Sequence, residues 1–492
     1  MFTFKLQLLN VKYLTSFEFT RFVHFESNYQ LFTKHFGLYH SKAKEYVEKN
    51  RLSRIAPDMI MKIVAYCNEL GFDNNSLLKN PAVLRLHPNT LDQYYLVMKE
   101  GGFINIRPEM LSKFRTLYRK PILVLKERNF INGQTDVAAS FINNLNPCPK
   151  DFYVKTKGDA EVWSDVHLKV LSAYLKWRLQ ATEKEITRLI KVHPTIYRKS
   201  FKYLCENITL AEELGFTPEK MFKYGYILQG YPKYTKEVLE KYPLIAGVCM
   251  KRAMRMYPKL MTTSPSNVEK IYNILKEHNI PDETIGKRMN VFQLSPETVE
   301  TRLKEIKRVA DFKVLLHNPN ILKLVVHHNR AKSRLTFLKE LQLKCASVSV
   351  LGNDDSKFNV HIREGRDANT FSDIYAFLKG IFKKEISEFE NTLKKHPYYL
   401  QVPLTSMEDT YYYLKNEKFT NPAILKVIYI LLYPREKLEN AFAQIGQYKS
   451  HNGNDLSQVN RLNLALYIIE KEHHFTGDGI WSKPETPEEN IL

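Results

Sequence analysis

An all-α helical-repeat solenoid is the fold class this 492-residue sequence predicts. Three observations carry it: a fixed proline interval, similar words closing each interval, and apolar residues at helical spacing. Pro81 leads to Phe103, Pro194 to Phe216, Pro258 to Ile280 and Pro397 to Phe419, 22 residues each time. The closing words are EGGF, ELGF, EHNI and NEKF, and a further proline follows 15 to 18 residues later, at Pro121, Pro232, Pro296 and Pro434. Periods of this size belong to stacked repeats, each too small to bury its apolar face alone. Periodicity leaves the superhelix right- or left-handed.

Within a repeat, Ser264-Pro265, Ser295-Pro296 and Thr217-Pro218 read as helix starts, because proline suits the first helical position and the residue before it is a capping type. After Pro265 the residues Val268, Ile271, Tyr272 and Leu275 form one helical stripe; after Pro296, Val299, Leu303, Ile306 and Val309 do the same. The Gly-Phe words predict a left-handed turn between two helices.

Taken in chain order, residues 1–35 read as a mitochondrial import segment: Lys5, Lys12 and Arg21 lie among apolar and hydroxyl residues, although Glu18 and Glu26 run against that composition. Residues 50–346 form a basic helical-repeat region with a loop near 143–165. Residues 347–371 read as a linker and 372–447 as C-terminal repeats. The last stretch, 448–492, reads as a capping helix, RLNLALYIIEKEHHF, followed by an acidic tail.

The chain carries 73 basic and 53 acidic side chains, a formal charge of +20. Its distribution is uneven: +10 over residues 1–180, +13 over 181–345 and −3 over 346–492. A positive field over the first 345 residues points to a nucleic-acid partner. The five cysteines lie far apart with no C-x-x-C pair, which argues for free thiols and against structural zinc. No run of 18 apolar residues exists, so no membrane span is expected.

Phosphate loops, dinucleotide-binding glycine patterns, zinc-protease helices and nucleophile elbows are all absent, so neither an enzyme nor a cofactor is expected. His327-His328 point about 100° apart on a helix, poor geometry for a shared metal. His193, His317 and His396 lie just before repeat prolines and read as end-of-repeat residues. Candidate nucleic-acid-binding residues are Arg198, Arg252, Arg255, Arg288, Arg302, Arg308, Arg330 and Arg334, on or beside repeat helices of the most basic third. Guanidinium grips phosphate at two points and reads guanine in a major groove. The tyrosines at 224, 226, 231 and 234 and at 411–413 read as packing residues, with base stacking as the alternative.

The proline-centred words LLKNPAVL (77–84), LIKVHPTIY (189–197), LLHNPNIL (315–322) and TLKKHPYYL (392–400) resemble those of the mitochondrial transcription termination factor family, over about residues 50–447. The resemblance implies repeats of two α-helices and a short 3₁₀ helix in a left-handed superhelix. It also implies location in the mitochondrial matrix and binding to mitochondrial double-stranded DNA, with termination or modulation of transcription as the outcome. In some relatives the ligand is ribosomal RNA, which gives a second reading as a factor for organelle ribosome assembly. A third is a helical-repeat scaffold that holds a protein partner through its C-terminal region.

Overall fold

The computed structural model describes residues 28–365, 367–383, 387–445 and 456–473. Regular structure among them is helical except for a two-residue antiparallel ladder, Leu244–Ile245 with Val248–Cys249. The chain divides into two compact units: residues up to Glu237 together with Met254–Thr262, and Val238–Ala253 together with residues from Thr263 onward. Each is built from the same repeated piece.

That piece is a long helix, a turn that is left-handed in most cases, a shorter helix and in most cases a 3₁₀ turn. The long helices Pro57–Glu69, Pro88–Glu100, Phe201–Glu213, Pro265–Glu277, Pro296–Arg308, His328–Glu340 and Leu404–Asn416 are all 13 residues long. Ser264 and Ser295 cap theirs by accepting from the backbone N–H of Asn267 and Thr298, while the Thr217 side chain makes no such bond. The expected stripes are buried at Val268, Ile271, Leu275, Val299, Leu303 and Ile306; Val309 lies at the helix end instead.

All four closing words adopt one geometry. Gly102, Gly215, Asn279 and Lys418 have φ of +86°, +78°, +59° and +63°. The next residue turns inward and its N–H reaches back to the long helix: Phe103 to the Met98 carbonyl, Phe216 to Ala211, Ile280 to Leu275 and Phe419 to Leu414, all at 2.9–3.0 Å. This six-to-one bond closes a helix whose last carbonyls would otherwise lack donors. Phe103, Phe216, Ile280 and Phe419 are buried, so the turn and the core contact come as one unit.

The proline beat marks a different point from the one expected. Pro81 and Pro194 sit in the turn just before the 3₁₀ helices Val83–Arg85 and Ile196–Arg198, and Pro258 opens the 3₁₀ helix Pro258–Thr262. Proline disfavours a helical residue ahead of it, and the shorter helices accordingly stop at Lys79, Val192 and Met256. The later prolines do start helices, at Pro232–Lys241 and Pro296–Arg308.

Three boundaries need correction. The import segment expected over 1–35 lies mostly outside the described residues, but 28–36 is a packed helix whose Asn28 amide donates to the Leu52 and Ile55 carbonyls at 3.0 and 2.9 Å; those residues belong to the folded unit. The linker expected over 347–371 contains the helices Val348–Gly352 and Asp355–Glu364. The division between units falls near 238–262, inside the stretch read as one basic region. The loop at 143–165 is pinned to the first unit, with Ile122 N–H bonded to the Glu161 carbonyl and Trp163 N–H to that of Lys120. Of the expected C-terminal cap, Gln458–His473 is helical, and the tail beyond lies outside the described residues.

Trp163 centres the first core, fully buried against Phe103, Phe114, Tyr118 and Phe141, with its indole N–H on the Gly101 carbonyl at 3.2 Å. A Cβ at residue 101 would overlap that indole, which explains the first glycine of EGGF. No helix among the described residues is long and apolar enough to cross a membrane.

Candidate nucleic-acid interface

The eight candidate arginines separate into two groups. Three hold the fold together by gripping the carbonyl end of a neighbouring helix. Arg334 is buried, donates to the carbonyls of Val350, Leu351 and Asn353 at 3.0, 3.2 and 2.7 Å, pairs with Asp355 at 2.7 Å and lies 4.5 Å from the Phe358 ring centroid. Arg302 donates to the carbonyls of Val325 and Val326 at 2.8 and 3.0 Å. Arg255 stays exposed but commits its Nε to the Leu214 carbonyl at 2.6 Å, beside the left-handed turn at Gly215. The last carbonyls of a helix lack intrahelical donors, and a planar guanidinium supplies several. Arg334 is therefore removed from the interface, and Arg302 has its terminal nitrogen committed.

The others remain at the surface. Arg252 and Arg308 are exposed, and Arg198 is half-buried with its guanidinium carbon 4.9 Å from the Tyr197 ring centroid. Arg288 and Arg330 belong to a basic cluster in the second unit with three side chains that spacing did not single out for binding: Lys323, His327 and Lys357. Burial lowers the Lys323 pKa, and Arg288 and Lys357 lower it further, with Asp354 opposing. The His327 ring, partly covered although the residue is exposed, is lowered by desolvation and then by Arg330 and Arg288. Lys323 Nζ donates to Asn353 Oδ1 at 2.8 Å, and Arg330 stands 3.5 Å from the Asn353 carbonyl. Arg288 Nε is buried with no hydrogen-bond partner. Arg288, Lys323, Arg330 and Lys357 thus stand with Asp354 as the opposing acid, and a buried donor is left open. An arriving oxyanion would relieve both conditions.

Lys357 comes from the helix Asp355–Glu364, inside the segment read as a linker, and Lys323 from the short helix Leu322–Val326. No spacing rule joins 288, 323 and 357; only the stacking of successive repeats does. The histidine pair behaves as its geometry requires, with His327 exposed and His328 buried beside Glu305, 3.6 Å from its carboxylate. No group of three His, Cys, Asp or Glu side chains among the described residues could hold a metal. The His396 ring is buried, Nε2 3.3 Å from the Tyr433 hydroxyl and Nδ1 accepting from the Tyr398 N–H at 3.3 Å, so it meets protein and not phosphate. Tyr411 is buried; Tyr412 is exposed, with Lys313 Nζ 5.5 Å from its ring centroid.

Fold and surface together define an all-α repeat protein that carries a cationic cluster and whose scaffold arginines close helix ends. No protein-family model and no solved structure matches the chain. It is 28% identical, over 429 residues, to "Transcription termination factor 5, mitochondrial" of Drosophila melanogaster, a match covering 85% of this chain and 76% of that protein. The chain is thus similar, along most of its length, to a mitochondrial transcription termination factor.

Proposed function

We propose that this protein is a mitochondrial regulator of transcription that acts from the matrix by binding double-stranded DNA, stopping or slowing a polymerase without itself catalysing a reaction. The observation that carries the reading is the Arg288, Lys323, His327, Arg330 and Lys357 cluster, with its open Arg288 donor. Backbone phosphates are the dense anions that satisfy such a cluster without sequence information. The name of the Drosophila relative supplies the mitochondrial and transcriptional context.

The test is fluorescence anisotropy of the full chain with labelled duplex DNA, with ribosomal RNA as competitor. Changing Arg288, Lys323 and Arg330 together to Glu should weaken duplex binding at least about tenfold near physiological salt while leaving the melting temperature close to that of the parent. Unchanged affinity would overturn the assignment of the interface. Stronger competition by ribosomal RNA than by unlabelled duplex would transfer the reading to ribosome assembly. The −3 balance of residues 346–492 favours a protein partner for the C-terminal repeats.

A further inference from the structure

The first unit contains a cleft of about 450 Å³ that the proposed DNA interface does not use. Its size lies in the range of small-molecule sites. The helix Pro88–Glu100 forms one wall with Gln93, and Arg115 and Arg198 enter from two other elements. The opposite wall carries Gln229 and the tyrosines at 226, 231 and 234. Two of the lining side chains, Arg115 and Arg198, are cationic, Lys199 is a buried third base whose pKa burial lowers to about 7, and none is acidic.

Beneath the lining, polar groups are closely matched. Asp92 is buried and accepts from the hydroxyls of Tyr66 at 2.6 Å, Tyr231 at 2.8 Å and Tyr203. Lys199 Nζ donates to the carbonyls of Gln229 and Gly230 at 2.9 and 2.6 Å. Against that background two atoms stand out. Gln93 gives its Nε2 to the Arg198 carbonyl at 3.1 Å, leaving Oε1 buried with no partner, and Gln229 Nε2 is likewise buried with no partner. A buried amide atom without a partner costs about 1–3 kcal/mol. Two lining residues, Gln93 and Gln229, thus carry one unpartnered acceptor and one unpartnered donor just beneath the surface, beside aromatic faces and arginines.

We propose that this cleft binds a free nucleoside monophosphate, its base stacked on the tyrosines and its edge met by Gln93 Oε1 and Gln229 Nε2, with the phosphate on Arg115 and Arg198. Nucleobases present adjacent donors and acceptors on a flat edge, and a guanidinium pair suits a phosphate. Tyr231 is held for stacking by its bond to Asp92, and Tyr234 packs edge-on against it at 5.0 Å. The ligand would serve as an effector of the protein, independent of its DNA.

Isothermal titration of the full chain with the four nucleoside monophosphates, their nucleosides and inorganic phosphate tests this. At least one monophosphate should bind, and its nucleoside and inorganic phosphate should each bind at least about tenfold more weakly. Gln229→Met removes a buried donor that has no partner in the free protein, so it should hold or raise the melting temperature while weakening the monophosphate at least about tenfold; Arg198→Ala should weaken it similarly. Absence of monophosphate binding at millimolar concentration, equal binding by phosphate alone, or indifference to both substitutions would overturn the proposal. Binding of a short single strand where no free monophosphate binds would overturn it as well. The Arg288, Lys323 and Arg330 variant should keep monophosphate binding, which separates this site from the DNA interface.

Discussion

At the scale of single residues, His167 and Glu100 set opposing pH responses in the first unit. His167 is fully buried, its ring nitrogens 3.1 Å from the Tyr118 hydroxyl and 3.1 Å from the Lys199 carbonyl, and burial pushes its pKa down to about 4. The unfolded chain takes up that proton near pH 6.5 and the folded one does not, so stability present above pH 6.5 is lost as pH falls toward 4, by about 3 kcal/mol at the limit. Glu100 is buried at the start of the helix Phe201–Glu213, accepting from Ser200 Oγ and the Phe201 and Lys202 N–H groups at 2.6, 2.8 and 3.0 Å, yet burial pushes its pKa up to about 7. Its contribution has the other sign, full below pH 4.5 and lost as pH rises through 7, of similar order. Between pH 5 and 7, roughly, the two largely offset. Urea unfolding of His167→Gln across that range should therefore show stability rising as pH falls, with a slope steeper than in the parent. A variant with the parent's slope would refute the account. Neither group was visible in the sequence as titratable machinery, because what shifts them is burial by residues up to about 100 positions away in the chain.

At the scale of elements, the repeat was legible wherever its cause was local. The 13-residue helices follow from an apolar stripe and a cap, and the EGGF-type words already contain both the left-handed residue and the apolar one that folds inward. What sequence spacing could not show is that Asn279 and Lys418 occupy the place that glycine takes at 102 and 215, since a left-handed residue is disfavoured for them but not forbidden. The five-residue helix Val348–Gly352 escaped for another reason: its carbonyl end is closed by Arg334, a tertiary partner that a local reading cannot supply. Gly215 tests the turn cleanly. A Cβ there meets nothing nearer than the Arg255 guanidinium at 3.8 Å, ordinary contact, so any loss comes from the backbone. Gly215→Ala should cost about 1 kcal/mol in denaturant unfolding, and Gly215→Asn less, in keeping with Asn279. A neutral alanine would mean that the turn relaxes without strain.

At the scale of the whole molecule, the charge is informative only after the scaffold arginines are subtracted. Residues 1–345 carry the positive excess, and sequence spacing treats Arg288, Arg330, Arg302 and Arg334 alike. The structure does not: the first two stand in a crowded cationic cluster, whereas Arg302 and Arg334 are occupied by main-chain carbonyls. Salt dependence distinguishes these roles, because each phosphate neutralised contributes about 0.9 to the slope of log affinity against log salt. Changing Arg288, Lys323 and Arg330 to Gln should make the slope on duplex DNA shallower by between about 1 and about 2.7, with little change in melting temperature. Arg334→Gln should do the reverse. It leaves a helix end and Asp355 without their donor, so stability falls by about 3 kcal/mol while the slope, measured below the lowered melting temperature, stays at the parent's value. If Arg334→Gln flattened the slope as much as a cluster substitution does, the division between scaffold and interface arginines would fail, and total charge would be the better guide to binding.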